Sequence, residues 1–334
     1  MNPNENQLSR YGAFSRGVPG NVLSPGSKLF LVADSDDTTA GAVNIAAAYP
    51  PDKDGVVRVY TTIQAAVNAA AGGRGDVVGV LPGYDHTLGR ADSWSTAGVQ
   101  VIGFGNGLNR PTLRYTTATD EVGVGASNVR VSNLRFLAAV DSCARALDFD
   151  TAFSGAKLDN CVFDYNATGN DFRVSVRLGQ PKSVIEDNFF GSEADTAGSG
   201  RGISISTNAD YSVIQRNKFV GMFDTVGDTT NGAAAIAIDT VDVVDANLLG
   251  VFIDNNLFVS TDTAVGAAMR LLGGGITMRG IISNNRVVSY DSAGTDTVIF
   301  ATGGFLSGHN TLSRTDTTEK IVGETAVKYT DSGN

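Results

Sequence analysis

The sequence predicts an all-β solenoid, a three-sheet parallel coil, and two sets of observations predict it. The first is a repeat: Val184-Ile-Glu-Asp-Asn188-Phe-Phe, Val213-Ile-Gln-Arg-Asn217-Lys-Phe-Val and Val251-Phe-Ile-Asp-Asn-Asn256-Leu-Phe follow one scheme. Val129-Arg-Val-Ser-Asn133-Leu-Arg-Phe, Lys157-Leu-Asp-Asn160-Cys-Val-Phe, Ile281-Ile-Ser-Asn-Asn285-Arg-Val-Val and the weaker Phe305-Leu-Ser-Gly-His-Asn310 share it. Successive asparagines lie 27, 28, 29, 39, 29 and 25 residues apart. A recurrence of this length marks units that bury their apolar face only by stacking. The second observation is the alternating runs between the copies. Leu147, Phe149, Val174, Val176, Ile203, Ile205, Ile236, Ile238, Met269, Leu271, Val298 and Phe300 fall at inward positions, as half-buried strands require. Each coil thus carries one two-faced strand and a bent pair around an Asn.

Each repeat segment is short and rich in Val, Ile and Phe, which suits strands rather than helices. An Asn between two such strands tolerates the left-handed angles of a bend. Stacked at about 4.8 Å, these side chains hydrogen-bond from coil to coil. Asn133, Asn160, Asn188, Asn217, Asn256, Asn285 and Asn310 are therefore the expected structural ladder.

The chain divides into residues 1–27 as an extended arm, 28–75 as a strand, loop and capping helix, and 76–330 as the coil. The arm has no periodic apolar pattern but holds Arg10, Tyr11, Phe14 and Arg16 close together. Aromatic anchors flanked by charge suit a segment that orders on a partner. Lys28-Leu-Phe-Leu-Val-Ala33 reads as a first strand. The acidic run from Asp34 to Gly41 lacks the spacing of a calcium loop and reads as a turn. Apolar residues at Ile63, Ala66, Val67 and Ala70 give helical spacing, with Thr61 or Thr62 as N-cap and Gly72-Gly73 as the stop. Such a helix shields the open edge of the first coil. Asp76–Leu81, Val99–Phe104 and Thr112–Tyr115 are further strands, and loops are expected at 224–232 and 240–247.

The formal net charge is −10, which disfavours general nucleic-acid binding. No apolar run reaches membrane-spanning length. The two cysteines, Cys143 and Cys161, make no framework and read as reduced core residues. With two histidines and no Cys/His cluster, neither a metal nor another cofactor is expected. Outward positions carry Asp148, Asp150, Ser175, Arg177, Ser204, Ser206, Asp239 and Arg270. Asp148 and Asp150 stand two apart on one strand face, about 7 Å by strand geometry. That separation fits an inverting glycosidase, with Arg177 alongside. Sugar sites also want aromatic platforms, and Trp94 is the single tryptophan. Later outward positions turn apolar at Ala237, Leu272, Ile299 and Ala301. Leu272 and Ile299 are the expected interface of a trimer.

The Asn copies, with Tyr60-Thr-Thr-Ile-Gln-Ala-Ala-Val-Asn-Ala-Ala and Gly75-Asp-Val-Val-Gly-Val-Leu-Pro-Gly-Tyr, resemble the pectin-lyase-like right-handed β-helix superfamily over about residues 56–330. The resemblance implies a right-handed coil. Its functions span lyases, hydrolases, phage tailspikes and non-enzymatic virion proteins. Phage proteins of this kind imply a homotrimer in the virion, assembled in the host cytoplasm. The expected role is capsid decoration, with the arm on the major capsid protein or another virion protein. Coils filling nearly all of the chain favour decoration over a tailspike. Adhesion to host-surface polysaccharide is the added expectation. The alternatives are a tailspike-type depolymerase using Asp148, Asp150 and Arg177, and a glycan-binding module without turnover.

Overall fold

The structure is a computed structural model that describes residues 26–33, 58–88, 92–165, 170–191, 200–221, 223, 234–238, 247–260, 267–271, 277–289, 299–301, 304–314 and 322–323. Three parallel sheets form a right-handed β-helix, the hand that parallel crossovers take. Sheet A runs through Val59–Tyr60, Leu29–Val32, Val77–Val80, Gln100–Gly103, Arg130–Ser132, Lys157–Asp159, Val184–Glu186, Val213–Gln215, Asn247–Asp254, Thr277–Ser283 and Gly304–Gly308. Sheet B begins at Asp85–Leu88 and ends at Thr311–Arg314. Sheet C begins at Asp92–Ser93 and ends at Val322–Gly323. The chain visits A, B and C in turn, so each strand pairs with its equivalent one coil away.

The interior is a set of vertical stacks. Phe136, Phe163, Phe190, Phe219 and Phe258 are register partners in sheet B. Their rings stack at 4.8, 4.6, 4.7 and 4.9 Å between centroids. The strand spacing sets that distance, so an aromatic repeated at one register position stacks face to face. Leu147, Phe149, Val176, Ile203, Ile205, Ile236, Ile238, Met269 and Leu271 line the interior from sheet C, all buried.

The corner between sheets A and B works differently from the sequence expectation. Left-handed angles belong to Asn133, Asn160, Asp187, Arg216, Asn255, Asn284 and His309. The hydrogen-bonded ladder is one residue later, at Asn188, Asn217, Asn256, Asn285 and Asn310. Each of the first four donates its backbone N–H and its amide to the Oδ1 of the next Asn, as Asn217 does to Asn256 at 2.9 and 3.1 Å. Leu134 and Cys161 hold the ladder position in the first two coils. Asn133 and Asn160 are thus bend residues and not rungs, and Asn188 ends the ladder by accepting from the Cys161 N–H at 2.9 Å. The division is physical. A bend needs a residue that tolerates positive φ, whereas the buried position needs a side chain that both donates and accepts.

The helix is Ile63–Ala69, with the Thr62 hydroxyl accepting from the Ala65 N–H. It stops before Gly72 because Asp76 captures the next backbone N–H, that of Ala71, at 2.8 Å. Asp76 also accepts from the Lys28 N–H and from Arg74, and is fully buried. One carboxylate therefore ties the helix end to the first strand. That strand, Leu29–Val32, pairs with Val77–Val80 on one side and Val59–Tyr60 on the other. Sheet A thus extends two strands beyond Val77–Val80. The acidic run from Asp34, the loops 224–232 and 240–246, and the arm up to residue 25 lie outside the described residues.

Sheet C departs from the expected alternation in three places. Ser175 points inward, where its hydroxyl meets that of Tyr165 at 2.8 Å; each satisfies the other, so burial is tolerated. Val174 is correspondingly half-buried and shares a row with Arg145 and Arg201. Ser204, Ser206 and Ala237 are buried rather than exposed. Ile299 pairs with Met269, and Phe300 with Arg270, one place off the expected register. Leu272, Asp239 and Val298 lie outside the described residues.

Candidate functional site

Two outward surfaces hold the charged and apolar groups from which a function would be built. The first is the outer face of sheet C. Asp148 pairs with Arg177 in register, and the two side chains form an ion pair at 3.2 Å. Arg145 reaches the same carboxylate at 2.9 Å and also faces Glu121 at 3.7 Å. Asp148 is thus held between two guanidinium groups. Asp150 is exposed and caps a turn, accepting from the Ala152 N–H at 3.1 Å. The two carboxylates share a neighbourhood but not a task. Trp94 is wholly buried in the core and offers no platform to a sugar.

The second surface is the outer face of sheet A. Its charged half staples successive coils. Arg130 grips Asp159 through two bonds of 2.8 and 2.7 Å, and Ser132 adds a third at 2.9 Å. Burial raises the Asp159 carboxyl, but these donors outweigh it and leave it below the usual carboxylate range. Glu186 receives Lys157 at 2.6 Å, Gln215 at 2.8 Å and Arg216 at 2.6 Å. Burial again opposes, yet those donors bring its carboxyl down to about 2. Arg216 also bonds Asp187, and both partners lift its guanidinium further above its ordinary value.

The other half of that face is apolar. Val184, Val213, Phe252, Ile281 and Leu306 are register partners over five consecutive strands. Phe252 is 42% exposed and Leu306 68%. The sequence reading placed an apolar drift on sheet C and missed this one. The signal was present: each of these residues stands four before a ladder Asn, at 188, 217, 256, 285 and 310. The Phe stack was missed too, although Phe falls two after Asn188, Asn217 and Asn256. Arg10, Tyr11, Phe14 and Arg16 are outside the described residues. Among the described residues, no cluster of His, Cys, Asp and Glu has the arrangement of a metal site, and no helix is long and apolar enough to cross a membrane.

No protein-family profile and no curated protein sequence matches the chain. Among solved structures, the chain is similar to an alginate lyase from Paenibacillus sp. str. FPU-7, at 13% identity and a TM-score of 0.52. That match covers 85% of this chain and 95% of the lyase. Weaker matches include ORF18 of Geobacillus virus E2, at 12% identity over 75% of this chain and 56% of that one, with a TM-score of 0.34. The tailspike of E. coli bacteriophage HK620 matches at 12% identity over 84% and 70%, with a TM-score of 0.36. The fold, a parallel β-helix, is what the chain has in common with the alginate lyase.

Proposed function

We propose that this protein is a non-catalytic structural component of a phage virion. In this reading it is a homotrimer on the capsid surface. Its N-terminal arm docks on the major capsid protein or another virion protein, with host-surface polysaccharide as a further contact. The observation that carries the non-catalytic part is the clamp on Asp148. A carboxylate held by Arg145 at 2.9 Å and Arg177 at 3.2 Å is committed to joining strands. A hydrolase instead needs one carboxyl free to protonate the leaving group and another free to activate water. Other acids of the sheet faces act alike: Asp85 with Arg114, Asp164 with Arg135 and Asp159 with Arg130 each join neighbouring strands. The virion setting draws on the resemblance of the repeat to phage β-helical proteins.

The arm is tested by deleting residues 2–24. Strand Leu29–Val32 and everything after it are kept, so the thermal midpoint and the mass should hold. Binding to undecorated particles in co-sedimentation should vanish, and full binding would remove the arm from the account. The chemistry is tested by incubation with capsular polysaccharide and lipopolysaccharide and an assay for new chain ends. None is expected. Release that disappears in Asp148→Asn, Asp150→Asn or Arg177→Ala would establish the tailspike-type depolymerase reading instead.

A further inference from the structure

The apolar row on sheet A is straight because the register is straight. Val184, Val213, Phe252, Ile281 and Leu306 occupy one column along the coil axis, so an apolar group recurs about every 4.8 Å. Tyr211, 59% exposed, flanks the column. Gly250 carries a positive φ beside it, and a Cβ there would lie 2.6 Å from the Tyr211 ring. The chain therefore gives up a side chain to keep this ring against the sheet. Phe252, Leu306 and Tyr211 are exposed and Val184, Val213 and Ile281 half-buried, and a contiguous apolar patch of this kind marks an interface.

The flanks of the column differ in charge. On the side where the strands begin stand Lys182 and Arg279, both exposed, with one half-buried acid, Asp210, which accepts the Leu249 N–H at 2.6 Å. Neither cation makes an ion pair among the described residues. On the side where the strands end stand Glu186, Asp187 and Asp254; Arg216 pairs with the first two and Lys157 also reaches Glu186, so the flank keeps a net negative charge. Asp254 accepts from Ser283 and Asn284 in the next coil and meets no cation among the described residues. One flank is net basic and the other net acidic, at overlapping heights.

We infer that this face is where copies of the chain meet, side by side and pointing the same way, around an axis parallel to the coil. The occupant is a second copy for two reasons. It presents apolar groups at the same axial repeat, so every level of the column finds a partner. And rotation about an axis parallel to the coil brings the leading flank of one copy against the trailing flank of the next. Lys182 and Arg279 then face Glu186, Asp187 and Asp254 of the neighbour. An antiparallel pair would set like flank against like flank, which opposes association. The inference rests on the homotrimer reading above but moves its contact surface from sheet C to sheet A.

Two measurements test it. Phe252→Asp with Leu306→Asp should convert the assembly to monomer by light scattering, with the far-ultraviolet spectrum unchanged. Phe252→Cys should cross-link between copies on mild oxidation, while Lys218→Cys, exposed on sheet B, should not. The native thiols are buried and will not confuse the assay. An unmodified protein that is monomeric at working concentration would overturn both the trimer and this face. An assembly that survives the double Asp variant, without cross-linking at position 252, would overturn the face and leave the trimer standing. Should the double variant not fold, the cross-link alone decides.

Discussion

Asn217 shows what one residue does for the coil. Its Oδ1 accepts the backbone N–H of Asn188 at 3.1 Å and that residue's amide at 3.0 Å. Its own amide bonds the Ile185 carbonyl at 2.9 Å. Asn217→Leu leaves buried donors and acceptors unmet and should cost about 1–3 kcal/mol in urea unfolding. Asn106 is exposed and its side chain caps nothing, so Asn106→Ala should cost under about 0.5 kcal/mol. Equal midpoints would remove the ladder as a source of stability. Glu186 carries a pH signature. Its carboxyl is held at about 2 in the fold against an ordinary 4.5. Its contribution is therefore complete above the ordinary value and is lost as pH falls from about 4.5 towards about 2. Glu186→Gln should lower the urea midpoint at pH 7, and the gap from wild type should close near pH 2. A gap that stays constant would mean the side chain acts through shape alone. Burial pushes the Cys143 and Cys161 thiols up to about 12. Both should resist iodoacetamide at pH 8 in the native protein and react only in denaturant.

At the scale of elements, the Phe stack and the N-terminal clamp have separate consequences. Phe190 lies between Phe163 and Phe219, at 4.6 and 4.7 Å. Phe190→Ala opens a gap in the middle of the column and should cost about 3–5 kcal/mol. Phe190→Leu keeps most of the volume and should cost clearly less. If the two cost the same, the ring contact rather than the volume is what matters. Asp76 acts on the end of the coil and not on its middle. It collects the N–H groups of Lys28 and Ala71 and the guanidinium of Arg74. Asp76→Ala should speed hydrogen exchange in residues 28–33 and 63–71. Exchange at Val184–Glu186 should stay as slow as before. Uniform acceleration along the chain would show that the end and the centre unfold as one unit.

The whole molecule is nearly one-dimensional, because each strand pairs only with its equivalents one coil before and after. Stability in such a stack is a sum of coil terms and neighbour terms. The ends of the stack have one neighbour and the middle has two. Amide exchange should therefore be slowest around Val213–Gln215 and fastest at Val59–Tyr60 and Thr311–Arg314. Slow exchange at the ends would contradict that picture unless association between copies covers them. The same geometry turns any repeated residue into a stripe. Glutamate and aspartate on the sheet faces become staples between strands, and Val, Phe, Ile and Leu at one position become an apolar column.

By itself, the sequence determined the fold class, because a residue repeated at about one coil's length lands in the same place on every coil. The Val, Ile and Phe runs, a threonine cap at 61 or 62, and the inward positions of sheet C from Leu147 to Leu271 other than Val174 followed from local spacing alone. Four matters were decided only by tertiary structure. The ladder begins at Asn188 and not Asn133, because the left-handed position and the buried position are adjacent. Only neighbouring coils show which one is inside, although the Phe register held the hint. Ser175 faces inward because Tyr165, ten residues away in another sheet, supplies its partner. Asp148 is an anchor between Arg145 and Arg177, since a carboxylate's role depends on which cations the stacking brings to it. The apolar face lies on sheet A, since exposure is set by what packs beside a residue, and hydrophobic pattern along the chain does not record that.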